Sequence, residues 1–199
     1  MTIFQVAALF YLLFYYGILL GFRVYLLYKR TGINAIKNMK KTGLEGFIEQ
    51  VFKVCFVMIS VIVLNYVFIE NNYPYLIPIT YFETITLGYI GIILSFTGLF
   101  LAFMAQLQMG DSWRLGLNEN ETISLIKHGL FKYSRNPVYL GILVSNIGFF
   151  LLMPNAVSLC FLALSYVSIE VKIRLEENYL LNTKGLAYEN YLNRVRRWI

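Results

Sequence analysis

Charge is the scarcest feature of this 199-residue chain: 14% of its residues are Asp, Glu, Lys or Arg, against roughly 25% in an ordinary soluble domain. So few charges cannot cover a water-facing surface, which excludes a conventional soluble fold. Histidine is scarcer still. His128 is the only one, so no H-x-x-x-H or H-E-x-x-H pair exists and a zinc or di-iron site lacks its nitrogen ligands. The two cysteines, Cys55 and Cys160, both stand inside apolar runs, which suits neither a disulfide framework nor a C-x-x-C redox or metal site. Among the 14 glycines there is no G-x-G-x-x-G and no G-x-x-x-x-G-K-[ST], so a Rossmann dinucleotide unit and a P-loop are excluded as well.

What the chain has is apolar surface. Hydrophobic residues make up 58% of it, enough for about five bilayer crossings of ~20 residues each. The remainder is too small for a soluble catalytic domain of ~100 residues, so any chemistry must be assembled from helix ends and short loops. The run from Phe4 to Phe22 has no basic stretch before it and no small-residue cleavage site after it. It is expected to be a retained span that continues to Tyr28. A second run extends from Phe47 to Ile69, and Asn71, Asn72, Pro74 and Pro78 then break the helix. The third span is expected over Tyr81 to Gln106. The chain thus divides into residues 1–106, three transmembrane helices, and 107–199, a polar loop, a helical hairpin and a tail. The hairpin arms, Val138 to Met153 and Ala156 to Ile169, are short for independent spans, and the second is expected to run on through Glu176. Gly185 suits a helix end, and Tyr188, Tyr191, Leu192 and Val195 have the spacing of one helix face.

The net charge of +6 is not gathered on a nucleic-acid module. All 17 Lys and Arg fall on one side of a membrane if the N-terminus is outside. This bias predicts five spans, N-terminus out, and places 107–137 and 170–199 together on the cytoplasmic face. Gly17 and Gly21, and Gly141 and Gly148, are small-residue pairs of the kind that let transmembrane helices pack closely.

Two polar clusters on that face can carry chemistry. In the first, Asn136 is placed to cap a helix whose first turn begins at Pro137, and the free amides there favour an anion. Arg135, just before, can pair with the same carboxylate or phosphate. In the second, Glu176 and Glu177 supply carboxylates able to bind hydroxyls or an ammonium group, with Lys172 and Arg174 close by. Read without a ligand, the same residues are a topology-setting charge and surface ion pairs.

These segments resemble the isoprenylcysteine carboxyl methyltransferase family, integral-membrane enzymes related to phospholipid N-methyltransferases. The first motif is matched by Leu125, Ile126, Gly129, Phe131, Arg135-Asn136-Pro137, Tyr139 and Gly141. The second is matched by Glu176-Glu177, Leu180, Gly185, Tyr188, Tyr191, Val195 and Arg197. Ser112-Trp113-Arg114 is similar to a tripeptide that precedes these motifs in many bacterial members. Phe131 stands where Tyr is commoner, Lys184 replaces a Phe, and Asn136 replaces the His of the eukaryotic form. Lys172 occupies the position of a substrate-facing arginine. Lysine neutralises a carboxylate but cannot clamp it bidentately.

The resemblance implies an all-α integral-membrane fold and methyl transfer from S-adenosyl-L-methionine, bound in a cytoplasmic pocket closed by the tail. The acceptor is a lipophilic or prenylated molecule entering from the bilayer, most simply an isoprenylcysteine-like acid. Arg135 and Glu176 are the implied catalytic residues. Leu125, Ile126, Gly129, Phe131, Asn136, Pro137, Tyr139, Glu176 and Glu177 are implied to hold the cofactor, and Lys172 and Arg174 the acceptor. No metal and no nucleic acid are expected, membrane lipids being the surrounding partners. The alternatives are an amine or phospholipid N-methyltransferase, a noncatalytic membrane scaffold, and a sterol-type reductase. His128 falls at a position the motif leaves free and is expected to be a solvated loop residue.

Overall fold

A computed structural model describes residues 1–32, 43–110 and 125–199. Asp111, Ser112-Trp113-Arg114, Asn118, Glu119 and Glu121 lie outside the described residues, as do Lys37, Lys40 and Lys41. The described chain is helical and contains no strand. Helix α1 (Ile3–Tyr16) starts at a Thr2 capping box, in which Gln5 N–H donates to the Thr2 hydroxyl and Thr2 N–H to the Gln5 side chain. It leads through a π-helical turn, Gly17–Phe22, into α2 (Arg23–Thr31). Helices α3 (Gly43–Phe68), α4 (Ile85–Met109), α5 (Pro137–Leu152), α6 (Ala156–Lys184) and α7 (Leu186–Leu192) follow.

Three of these, α3, α4 and α6, are long and apolar enough to cross a membrane. Helix α5, at 16 residues, rises about 24 Å, short of the ~30 Å hydrocarbon core. Helix α4 starts later than the apolar run suggests. Tyr81 and Phe82 belong to a 3-10 turn, and Thr84 caps the helix by accepting Leu87 N–H at 3.2 Å. At that end of the bundle the α3–α4 connection is fastened to the α5–α6 turn: Ile79 N–H donates to Pro154 O at 2.8 Å and Ala156 N–H to Ile77 O at 3.0 Å.

Helices α4 and α5 pack backbone to backbone. A Cβ on Gly98 would strike Ser145 N and Gly141 O, one on Gly141 would strike Ala102 N, and one on Gly148 would strike Ser95 N. The expected role of Gly141 and Gly148 is therefore realised, against Gly91 and Gly98 of α4. Gly17 and Gly21 do not form such a seam: nothing lies within 4 Å of a Cβ on Gly17, and only the nearby Tyr16 carbonyl lies close to one on Gly21. Around the seam, Tyr11, Ile59, Ile62, Phe149, Met153 and Phe161 make a closed apolar core. A polar thread crosses it, with Ser145 donating to the Tyr11 hydroxyl at 3.0 Å and the Asn146 amide to Ser165 at 2.6 Å. Such bonds between helices satisfy groups that lipid cannot.

Candidate functional site

The site is assembled where the start of α5, the C-terminal part of α6 and the tail meet. The chain enters it through Leu125 and Ile126, both half-buried. Gly129, at φ +60, is held so close to Gln108 that a Cβ would run into that side chain. The Gln108 Oε1 accepts Leu130 N–H at 2.8 Å, so the 3-10 turn Gly129–Lys132 is anchored to the end of α4. Pro137 occupies the first turn of α5, where a missing N–H costs nothing. Asn136 holds the cap position but does not cap. Its side-chain amide instead donates to Arg197 O at 3.3 Å, next to a 3.2 Å bond from the Ser134 hydroxyl.

The tail closes over this segment because α6 ends abruptly. Gly185 adopts φ +50, a conformation that costs glycine little, and the chain turns back into α7. Tyr188 and Tyr191 are buried there, and the Tyr191 hydroxyl donates to Phe131 O at 2.6 Å. Val195, expected on the same helix face, lies beyond the end of α7. Burial pushes the Tyr191 phenol up to about 12. Burial also raises Tyr188, and the nearby Glu177 charge adds to the effect.

Arg135 and Glu177 are the keystone of the closure. The Arg135 Nε and Nη2 both donate to Glu177 Oε1, at 3.2 and 3.0 Å, while Nη1 donates to the carbonyls of Leu192 and Val195 at 3.2 and 3.1 Å. Those carbonyls, at and just beyond the end of α7, have no helical partner of their own. Arg197 Nη2 donates to the other Glu177 oxygen at 2.6 Å. That hydrogen bond raises the Arg197 pKa above its ordinary value. The guanidinium expected to meet a ligand is thus engaged by the protein itself.

Glu176, one residue earlier, faces elsewhere. It accepts the Tyr139 hydroxyl at 2.6 Å and feels the charge of Lys172, one helical turn back. Lys172 is buried, with Nζ lacking any hydrogen-bond partner. Arg174, grouped with Lys172 in the sequence, is not brought to this place: its side chain is 70% exposed and reaches Glu170 at 3.9 Å. His128 is exposed. One residue that pattern reading missed is Glu49 of α3, buried and with Oε1 unpartnered, for which Lys172 is the principal opposite charge. The available signal was a carboxylate inside an apolar run, a costly placement that marks functional positions.

The structure therefore separates two polar groups: a closed set of Arg135, Glu177 and Arg197, and an open set of Lys172, Glu49, Glu176 and Tyr139. The open set gathers carboxylates around one ammonium, a field suited to a cationic ligand, yet leaves that ammonium free for an anion.

Comparison with known proteins agrees with the motifs. Residues 90–182 match the model of the isoprenylcysteine carboxyl methyltransferase (ICMT) family. Protein-S-isoprenylcysteine O-methyltransferase of Schizosaccharomyces pombe is 29% identical over 117 residues, 57% of this chain and 48% of that protein. This chain thus spans about half the length of that relative. The solved structure of the eukaryotic intramembrane Ras methyltransferase ICMT superposes with a TM-score of 0.56 at 18% identity, over 96% of this chain and 80% of that one. That likeness establishes the fold, an all-helical integral-membrane architecture. The family resemblance read from the motifs holds for the region 90–182.

Proposed function

We propose that this chain is an integral-membrane methyltransferase that uses S-adenosyl-L-methionine to methylate the carboxylate of an isoprenylcysteine-like lipophilic acid. The observation that carries this reading is the buried, unpartnered Lys172 ammonium beside the Tyr139–Glu176 pair. It lies in the segment that matches the family model. A buried ammonium without a hydrogen bond is costly even with carboxylates nearby, and an acceptor carboxylate relieves that cost. The carboxylates around it fit a sulfonium cofactor, whose net charge is positive. Leu125, Ile126, Phe131, Pro137 and Tyr139 would hold the adenosyl part, with Gly129, Asn136 and Glu177 shaping its walls.

The cofactor supplies an activated methyl group with its own leaving group, so the protein's task is alignment, worth up to ~7 to 11 kcal/mol. Lys172 orients and neutralises the acceptor carboxylate, which needs no general base. Tyr139 fixes the Glu176 carboxylate. Arg135 acts through Glu177 and the tail as a positioning residue, holding the lid that keeps water out. The excess of carboxylates around Lys172 is the one observation favouring an amine acceptor instead, with Glu176 receiving the proton. Arg174, exposed, contributes to acceptor binding only at the rim.

In the membrane, we place α1 with α2, then α3, α4, α5 and α6, as five spans with the N-terminus outside and the site on the cytoplasmic face. The one-sided distribution of Lys and Arg supports this. A cysteine introduced at Asn72 should be labelled only from outside, and cytoplasmic labelling would overturn the topology. Calorimetric titration of the full chain in lipid nanodiscs with S-adenosylhomocysteine tests the activity. Binding is expected, and labelled methyl donor should then mark acids in preference to amines. Folded protein that binds none of it would refute the reading.

A further inference from the structure

Helix α3 packs against α6, the two running antiparallel. Glu45 and Glu49 on one helix, and Lys172 and Glu176 on the other, are each a single turn apart. Glu49 feels the charge of Lys172 more than that of any other cation, and Glu176 feels Glu45. Glu49 is 6% and Lys172 3% exposed. The simplest way to satisfy both is a direct ion pair, and the structure does not make it: Lys172 Nζ and Glu49 Oε1 each lack a hydrogen-bond partner. Two opposite, buried and open groups on packed helices, each within reach of the other's charge, call for a ligand that carries an anionic acceptor and an N–H donor close together.

We infer that Glu49 and Lys172 form a receptor for an amino-acid head group, Lys172 taking its carboxylate and Glu49 its ammonium or amide N–H. This rests on the methyltransferase reading above and deepens it. Glu49 lies outside the residues that match the family model, 90–182, so this recognition is a contribution of the N-terminal helices. Two molecules of the proposed reaction carry such a head: the methyl donor at its methionyl end, and a cysteine-based acceptor.

The experiment compares two ligand pairs by calorimetry on the full chain in nanodiscs. One pair is S-adenosylhomocysteine and 5′-methylthioadenosine, which lacks the amino-acid end. The other is N-acetyl-S-farnesylcysteine and S-farnesyl-3-mercaptopropionate, which keeps the carboxylate and lacks the amide. The wild-type protein should prefer the complete member of at least one pair by about tenfold or more, and Glu49→Gln should erase most of that preference. Loss confined to the first pair assigns the receptor to the donor, and loss confined to the second assigns it to the acceptor. Lys172→Met is the second variant. It should shrink the preference in the first pair if the receptor takes the donor, and should weaken both members of the second equally if it takes the acceptor. If Glu49 merely neutralises Lys172, Glu49→Gln lowers the melting temperature and leaves both preferences intact, which overturns the inference. A wild-type protein that binds no S-adenosylhomocysteine overturns the underlying reading and this inference with it.

Discussion

Two adjacent glutamates, Glu177 and Glu176, divide the end of this bundle that the tail packs on into regions with opposite hydrogen-bond accounting. Around Glu177 both carboxylate oxygens are taken, by Arg135 and Arg197, and the remaining Arg135 donor caps the tail carbonyls. Around Glu176, one turn from Lys172, a buried ammonium and the Glu49 carboxylate oxygen are left open. A saturated polar network specifies structure, and an unsaturated one in the same low-dielectric setting costs stability. The closed set fastens the tail to the start of α5 and to α6, and on the function proposed above the open set is where the ligand binds. Successive helix positions point about 100° apart, and this is how neighbours in sequence come to serve different regions.

Breaking the closed region should have the largest effect. Arg135→Ala strips Glu177 of one arginine and leaves the carbonyls of Leu192 and Val195 without a donor. Arg197 still pairs Glu177, but each buried group left unsatisfied costs about 1 to 3 kcal/mol, which over the carboxylate and two carbonyls amounts to more than a hundredfold in the docked-tail equilibrium. Protease cleavage near Gly185 should accelerate and S-adenosylhomocysteine affinity collapse together. Arg135→Lys, which keeps charge without the planar fork, should fall between. A protected tail in an inactive Arg135→Ala protein would break the comparison, because Arg135 would then act on the ligand directly.

Glu176→Gln probes the open region and is the next largest. The amide keeps an oxygen for the Tyr139 hydroxyl and loses only the charge. Methyl transfer should drop by about tenfold to a hundredfold, the range for losing a charged hydrogen-bond partner, with tail protection unchanged. If the tail opens as well, the two regions are one.

Much of this was legible because it is local. Pro137 at a helix start, Gly185 at a helix end, the breakers between Asn71 and Pro78 and the small residues Gly141 and Gly148 each act within a turn or two of themselves, and the structure uses them so. What failed to be legible depends on partners distant in sequence. Gly17 and Gly21 have the spacing of a packing seam, yet among the described residues no other helix comes within 4 Å of a Cβ at either, whereas α5 does so at Gly91 and Gly98. Asn136 sits in a cap position and turns its amide to the tail. That Arg135 faces Glu177 and not Glu176, and that Glu49 faces Lys172, follow only from the crossing of α3, α5 and α6. No spacing within one segment encodes it.

Tyr191→Phe sharpens the closed side by removing one bond, that to Phe131 O. The cost is about 1 kcal/mol, or up to tenfold in tail docking. The wild-type tail should also respond to alkali. Burial holds the docked phenol up to about 12, while a released one ionises near 10. The docked state therefore keeps its proton longer, and docking is unaffected below pH ~10 and weakens as pH climbs from there toward 12. Tyr188 titrates in the same direction. Trp198 fluorescence in a Trp113→Phe background should report the transition, and in Tyr191→Phe it should be shallower. An equally steep transition there would assign the alkaline effect to another group.

The smallest effect is expected at His128, although for the methyl transfer proposed above a lone histidine is the natural candidate for a base. It belongs to neither region. It precedes the 3-10 turn, is exposed, and makes no side-chain cap bond; its backbone carbonyl accepts Phe131 N–H at 3.2 Å, a bond that substitution leaves in place. The carboxylate acceptor proposed above is already ionised near neutral pH and needs no proton removed, so on that reading an imidazole there has nothing to do. His128→Ala should change stability by less than ~0.5 kcal/mol and leave both S-adenosylhomocysteine affinity and turnover on acids at wild-type values between pH 6 and 8. If turnover instead falls while cofactor affinity is kept, and falls most for amine acceptors, proton transfer is part of the chemistry. The open region would then have to be redrawn to include the loop before α5.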